Sequence, residues 1–356
     1  MSTPRSTSFP WGAYAAIAAV VAAVAALFAF TAGWLTPRLS PDQMVDALSE
    51  RGGDPTGHRR NHAKGVCFEG YFESSGAGTA MSTAALFAPG RYPVIGRFAI
   101  AVGNPLAPDA AGRVRSMAIR MVAPNGQEWR SGMNNSPVFA VATPQAFYDL
   151  TVAAKADPKT GKPDPDAVQR ATAAHPETAA FGAWAKAAPW TGSYADQTYR
   201  SLNAFEFVSA SGARQAVRWA MVAATPMTVI APQDLPALGA DFLEQDLKTR
   251  LGQHELRWTL VATLAQPGDP TNDATKAWPD DRRQVALGEL VVQRAVDEAP
   301  GACRDFNYDP LILPRGIEAS DDPLLAARSA AYAESFDRRN AETDRYPRAT
   351  PPRVNP

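Results

Sequence analysis

Cysteine is nearly absent: Cys67 and Cys303 are the only two in 356 residues, too few for a disulfide framework and without metal-site spacing. They can pair only if the fold brings them together. Within its apolar run Cys67 reads as a buried thiol, and Cys303 carries no preference. Charge of one sign is also lacking, since 35 Lys and Arg against 36 Asp and Glu leave a formal net charge of −1. With no basic stripe interleaved with aromatics, that balance argues against nucleic acid as the main partner. No phosphate-cradling glycine motif indicates a nucleotide cofactor such as NADPH. A hydrophobic content of 46% with 20% charged residues is ordinary for a folded chain, enough for one large domain or two small ones.

One long hydrophobic run is present. From Gly12 to Leu35 there is no charged residue, and about 20 apolar residues suffice to cross a bilayer. Trp11 and Trp34 stand at its ends, where interfacial aromatics belong. The run is longer than the apolar region of a signal peptide, and Thr31-Ala32-Gly33 is a weak cleavage candidate. We therefore expect an uncleaved anchor over 11–36, after a tail at 1–10, with its lipid partner the bilayer. Arg5 before the span and Arg38 after it blur the charge asymmetry; the expected orientation places the following domain outside the cytoplasm, in a bacterial periplasm. Residues 37–54 read as a linker with a short helical piece around Asp42 to Glu50, residues 55–346 as the main domain, and 347–356 as a tail.

Within the domain, Lys64–Glu73, Tyr92–Val102, Arg113–Val122 and Pro137–Thr143 are short apolar or alternating runs bounded by glycine, proline and asparagine. Such runs predict an antiparallel sheet or barrel. Ala146–Ala188 reads as alanine-rich helix broken by the loop Asp157–Pro165. Strand-like runs return at Ala204–Ser209, Gln215–Ala223, His254–Leu264 and Gln284–Gln293. The fold class is α+β, an antiparallel β-barrel with helices, plus one N-terminal transmembrane helix.

The final helix is expected over Asp321–Arg345, capped by Asp322 and begun by Pro323. Arg328, Tyr332 and Arg339 stand at i, i+4 and i+11, and at about 100° per residue they share one face. Alanines at 326, 327, 330, 331 and 333 keep the adjacent surface low enough for something flat. A guanidinium one turn before a tyrosine favours the phenolate, one of the few protein ligands of haem iron. Taken alone, Tyr332 reads rather as an amphipathic core residue beside a solvated arginine face.

The segment RSAAYAESFDRR, with FNYDPLILPRGIEASDDPLL before it, resembles the proximal haem helix of the catalase family. The resemblance implies Tyr332 as iron ligand, Arg328 as its partner and Arg339 toward a haem propionate. RNHAKG at 60–65 resembles the family segment whose histidine takes and returns a peroxide proton, which points to His62. GMNNSPVF at 132–139 resembles the segment whose first asparagine donates to bound peroxide, which points to Asn134. Alone, His62 would be an exposed strand-start histidine and Asn134-Asn135 a turn. Arg59, and Arg97 in GRFAI, match propionate-holding positions; Phe139 and Phe147 match distal-pocket aromatics; KAWP at 276–279 resembles KVWP. The likeness spans residues 55–345.

Two positions depart from the pattern. The serine that backs the distal histidine in typical catalases is replaced by Ala99, so something else must orient His62. The acidic access-channel residue has no counterpart near RVRSMAIR. The long terminal arm and C-terminal helical domain are also missing, as in the catalase-related peroxidases. The resemblance thus implies a haem b peroxidase that reduces hydrogen peroxide or small organic hydroperoxides through a ferryl intermediate, with an unidentified electron donor and a homodimer possible. The alternatives are a true catalase, or a haem-binding sensor or carrier.

Overall fold

The computed structural model describes residues 11–31, 34 and 39–347. The expected tail at 1–10, the cleavage candidate at Ala32-Gly33 and the tail beyond Pro347 lie outside the described residues. The chain divides into two compact units, Met1–Ser40 and Pro41–Pro356. In the first, α1 (Trp11–Thr31) is a 21-residue helix that buries none of its residues. By length and composition it is apolar enough to cross a bilayer, a test that a signal sequence near the N-terminus also passes.

The second unit is built on strands. β1 (Gly65–Ser74), β2 (Gly90–Ile100), β3 (Arg115–Val122) and β4 (Glu128–Asn134) pair antiparallel in chain order. Later come β5 (Trp190–Thr191), β6 (Tyr199–Arg200), β7 (Phe205–Val208), β8 (Arg214–Ala223), β9 (Val229–Ile230), β10 (Leu256–Leu264), β11 (Gln284–Val296) and β12 (Ile317–Ala319). The sheet order β10-β11-β1-β2-β3-β4-β6-β8 closes through a β8–β10 pairing, making an eight-stranded antiparallel barrel. β7 and β12 continue the sheet past β8, and β5 pairs with β9 apart from it.

Alternation along each strand sends one set of side chains inward. Phe68, Phe98, Trp129, Trp219 and Trp258 fill the interior and are at most 2% exposed. Burying each large aromatic contributes about 1.5–3 kcal/mol. Two of these three indole N–H groups find partners, Trp219 donating to Ser131 at 3.0 Å and Trp258 to the Gln197 carbonyl at 3.0 Å, while that of Trp129 is buried without one. Gly96 on β2 is glycine for a steric reason, since a Cβ would lie 2.1 Å from the Phe68 ring.

The helices are α2 (Pro41–Gly52), α3 (Pro144–Ala153), α4 (Pro165–Ala174), α5 (Ala179–Ala187), α6 (Phe242–Leu251) and α7 (Pro323–Ala341). α2 takes in the helical piece expected around Asp42 to Glu50 within the linker. It buries Met44, Val45 and Ala47 and is tied to α7 by the Arg338–Asp46 ion pair at 2.5 Å.

Two expectations need correction. Pro137–Thr143 forms no strand, because its chain leaves the barrel after Asn134: Pro137 has no N–H to give a ladder, and Phe139 N–H bonds the Ala274 carbonyl at 2.8 Å. The strand lies earlier, in EWRSGMN, where Trp129, Ser131 and Met133 turn inward; serine and glycine masked that period. Cys67 is not a free thiol. Barrel closure sets β1 beside the turn Ala302–Asp305, and Cys67 is disulfide-bonded to Cys303 across 236 residues of sequence.

Candidate active site

α7 begins as its sequence dictates. Asp322 accepts from the Leu324 N–H at 2.9 Å, with Pro323 at the first helical position. The helix stops at Ala341, four residues short of the expected end, and a 3₁₀ turn covers Thr343–Arg345. Glu342 at the break accepts from the Gly57 N–H at 2.7 Å and from Arg60.

Arg328 and Tyr332, one turn apart, meet as their spacing requires. Arg328 Nη2 donates to the phenol oxygen at 3.3 Å and to the Gly132 carbonyl at 3.3 Å, while Nη1 donates to Asn203 Oδ1. Asn203 in turn donates to Asp322 at 2.7 Å. The helix cap and the arginine beside the phenol are therefore one hydrogen-bonded unit.

Tyr332 opens onto a cavity that is continuous with solvent. Ala327 and Ala331 keep its α7 wall flat, and Phe139, Phe147 and Met117 make other walls apolar. Phe139 and Phe147 stack with ring centroids 5.9 Å apart and planes 13° from parallel.

His62 and Asn134 line the same cavity. His62 has a left-handed backbone, φ 55°, and its N–H donates to Asn61 Oδ1 at 3.0 Å. In a non-glycine residue that conformation is costly and collects at functional sites. Its Nδ1 is 2.9 Å from Ser116 Oγ, and the same hydroxyl bonds Asn134 Oδ1 at 2.7 Å. Burial, reinforced by the guanidinium groups of Arg97, Arg328 and Arg59, pushes the imidazole down to about 3. Asn135 is turned elsewhere: its side-chain Oδ1 accepts from Arg115 N–H at 3.0 Å and its side-chain amide donates to Gln197 Oε1 at 2.9 Å.

A cluster of cations borders the cavity. Arg97 grips both oxygens of Glu298 at 2.7 Å, and Arg59 reaches the same carboxylate at 2.5 Å. Burial opposes ionisation of Glu298, yet Arg97 and Arg59 hold it below the usual carboxylate range. Arg59 also donates to the carbonyls of Cys303 and Phe306, each at 3.0 Å. Arg339 donates to the Arg304 carbonyl, but its Nε is buried without a partner. Burial, then Arg59 nearby, pushes that guanidinium down to about 8.

The family profile described as Catalase matches residues 36–348. The chain belongs to the catalase family. It is 38% identical over 309 residues to the catalase-related peroxidase of Synechococcus elongatus, covering 87% of this chain and 91% of that one. To the catalase-related peroxidase of Mycolicibacterium paratuberculosis it is 29% identical over 314 residues, covering 88% and 98%. The fold matches a fungal catalase and catalase A of Saccharomyces cerevisiae, each at a TM-score of 0.73, with 21% and 20% identity. Those matches cover 83% of this chain but only 61% and 64% of the solved chains.

The family is one of tyrosine-ligated haem proteins, and the pocket fits such a group. Among the described residues no cluster of three or more His, Cys, Asp or Glu could hold a bare ion. A single phenol facing a flat apolar slot suits an iron that brings its other ligands with it. The guanidiniums of Arg59 and Arg97 share one carboxylate, that of Glu298, and the partnerless Nε of Arg339 is a donor that a haem carboxylate would satisfy.

All the expected site residues line this cavity. Arg59 and Arg97 differ in one respect, since they are bound to Glu298, which sequence reasoning missed along with Ser116 and Asn203. The substitution at Ala99 was a signal for Ser116, because it left a histidine in need of a hydroxyl.

Proposed function

We propose that the protein is a haem b peroxidase that reduces hydrogen peroxide or small organic hydroperoxides with electrons from an external donor. The observation that carries this reading is the line His62–Ser116–Asn134 in the same cavity as the Arg328–Tyr332 pair. Tyr332 would be the iron ligand, with Arg328 donating to its oxygen. Arg59, Arg97 and Arg339 would face the haem carboxylates, and Phe139 and Phe147 would flank the substrate side. Both cysteines are used in the disulfide, leaving none for thioether attachment, and this supports a non-covalent haem b.

When bound, the haem supplies the redox chemistry that cleaves the O–O bond. The protein's part is proton handling. His62, neutral at physiological pH, accepts the proton of one peroxide oxygen and returns it to the other, so that water or an alcohol leaves. The Asn134 amide donates a neutral hydrogen bond to the oxygen that becomes negative.

We further propose that α1 anchors the chain in a membrane with the catalytic domain in the periplasm. The disulfide supports this, because such bonds persist in oxidising compartments and are rare in the cytosol.

The test is an absorption spectrum of the full chain in detergent, loaded with haem. Tyr332→Phe should abolish the ferric tyrosinate spectrum, and His62→Ala should slow donor-dependent peroxide reduction by about 10²–10⁴-fold. Failure to bind haem overturns the reading; rapid oxygen release without a donor replaces it with catalase activity.

A further inference from the structure

His62 has two ring nitrogens, and only one carries a hydrogen when the ring is neutral. Which one it is decides whether the ring can accept a proton from a ligand in the cavity. Ala99 supplies no hydroxyl for this purpose. Directly across the β2–β3 ladder from Ala99 stands Ser116, 8% exposed and lining the cavity.

The two contacts of Ser116 leave little freedom. An amide oxygen can only accept, so in the 2.7 Å contact with Asn134 Oδ1 the serine is the donor. A hydroxyl has one hydrogen, so in the 2.9 Å contact with His62 the serine oxygen must accept, and Nδ1 must carry the ring hydrogen. Nε2 is then left with a bare lone pair. The same bond turns the other end of the Asn134 amide away from Ser116, and among the described residues no protein acceptor bonds its Nδ2.

We infer that Ser116 is a positioning residue whose single hydroxyl proton sets both distal groups at once, making His62 Nε2 the acceptor and Asn134 Nδ2 the donor presented to the cavity. The inference rests on the proposed peroxide chemistry for its use, but not for its geometry. The hydroxyl of Ser116, one strand over from Ala99, thus bonds both His62 and Asn134.

The test reads the proton directly. The chain has four histidines, so ring-¹⁵N labelling of the full chain in detergent, without haem, gives few signals, and His62→Gln identifies the relevant one. The expected wild-type pattern is a protonated Nδ1 with a bare Nε2, kept in Ser116→Thr and lost or mixed in Ser116→Ala. A proton on Nε2 in the wild type overturns the inference, as does an unchanged pattern in Ser116→Ala. With haem added, Ser116→Ala should slow the peroxide reaction by about 10–100-fold, the usual effect of losing an orienting partner, while the haem spectrum stays that of the wild type. Because the labelling experiment needs no haem, its outcome is separate from that of the proposed function.

Discussion

Arg59 donates to the carbonyl oxygen of Cys303 at 3.0 Å, and the sulfur of that same residue is bonded to Cys67 on β1. The carbonyls of Cys303, Arg304 and Phe306 hold Arg59 and Arg339. The disulfide therefore fastens to the barrel the short segment that aims Arg59 and Arg339. Replacing both cysteines by serine should cost about 2–5 kcal/mol in unfolding free energy and speed haem loss. Thermal unfolding and transfer of haem to an excess of apomyoglobin measure the two effects. Unchanged haem loss in a destabilised variant would confine the disulfide to a structural role.

Glu298 is the one carboxylate shared by Arg59 and Arg97. Glu298→Gln would leave two guanidiniums buried without a counter-charge, a loss of about 3–5 kcal/mol. A haem bringing its own carboxylates would restore part of that. The expected outcome is a larger loss of stability without haem than with it. Equal losses in the two states would mean that the carboxylates of the cofactor do not reach this cluster.

How much of this was legible beforehand follows the range of each interaction. The α7 start, and the meeting of Arg328 with Tyr332, are local matters of capping and 3.6-residue spacing, and both could be read directly. Most barrel strands showed through their alternation. β4 did not, because Ser131 and Gly132 interrupt its apolar period. Glu298 reaches Arg97 across 201 residues of sequence and Ser116 reaches His62 across 54. Only strand register brings such pairs together, and no local pattern encodes it. The disulfide was hidden for the same reason.

The imidazole of His62 is held down to about 3 by burial and neighbouring guanidiniums. Folding therefore opposes its protonation, whereas the unfolded chain takes up that proton below the ordinary histidine value of about 6.5. Between these values the unfolded state binds more protons, so this group makes stability fall as pH drops from about 6.5 toward 3. The imidazole remains neutral throughout, and if His62 is the base of the proposed peroxide reaction, that reaction should show no acid limb near pH 6.5. Stopped-flow rates from pH 5 to 8 test this; a half-protonation point near 6.5 that is absent from a His62→Gln variant would refute it.

Asn203 joins the cap of α7 to Arg328, donating to the cap residue Asp322 at 2.7 Å and accepting from Arg328. It is 2% exposed, so water cannot readily replace it. In Asn203→Ala the Asp322 carboxylate keeps its bond to the Leu324 N–H, but Arg328 loses one of three acceptors and is free to swing from the phenol oxygen. Leaving buried polar groups unsatisfied costs about 1–3 kcal/mol, which unfolding measurements will show. The more telling readout is spectroscopic. If Arg328 is held on Tyr332 through Asn203, the haem-loaded variant should show a shifted tyrosinate charge-transfer band, and Arg328→Leu should shift it the same way. Once Arg328 is gone, removing Asn203 as well should move the band little further, since Asn203 acts on the phenol only through that guanidinium. Additive shifts in the double variant would show instead that the two residues reach the phenol by separate routes.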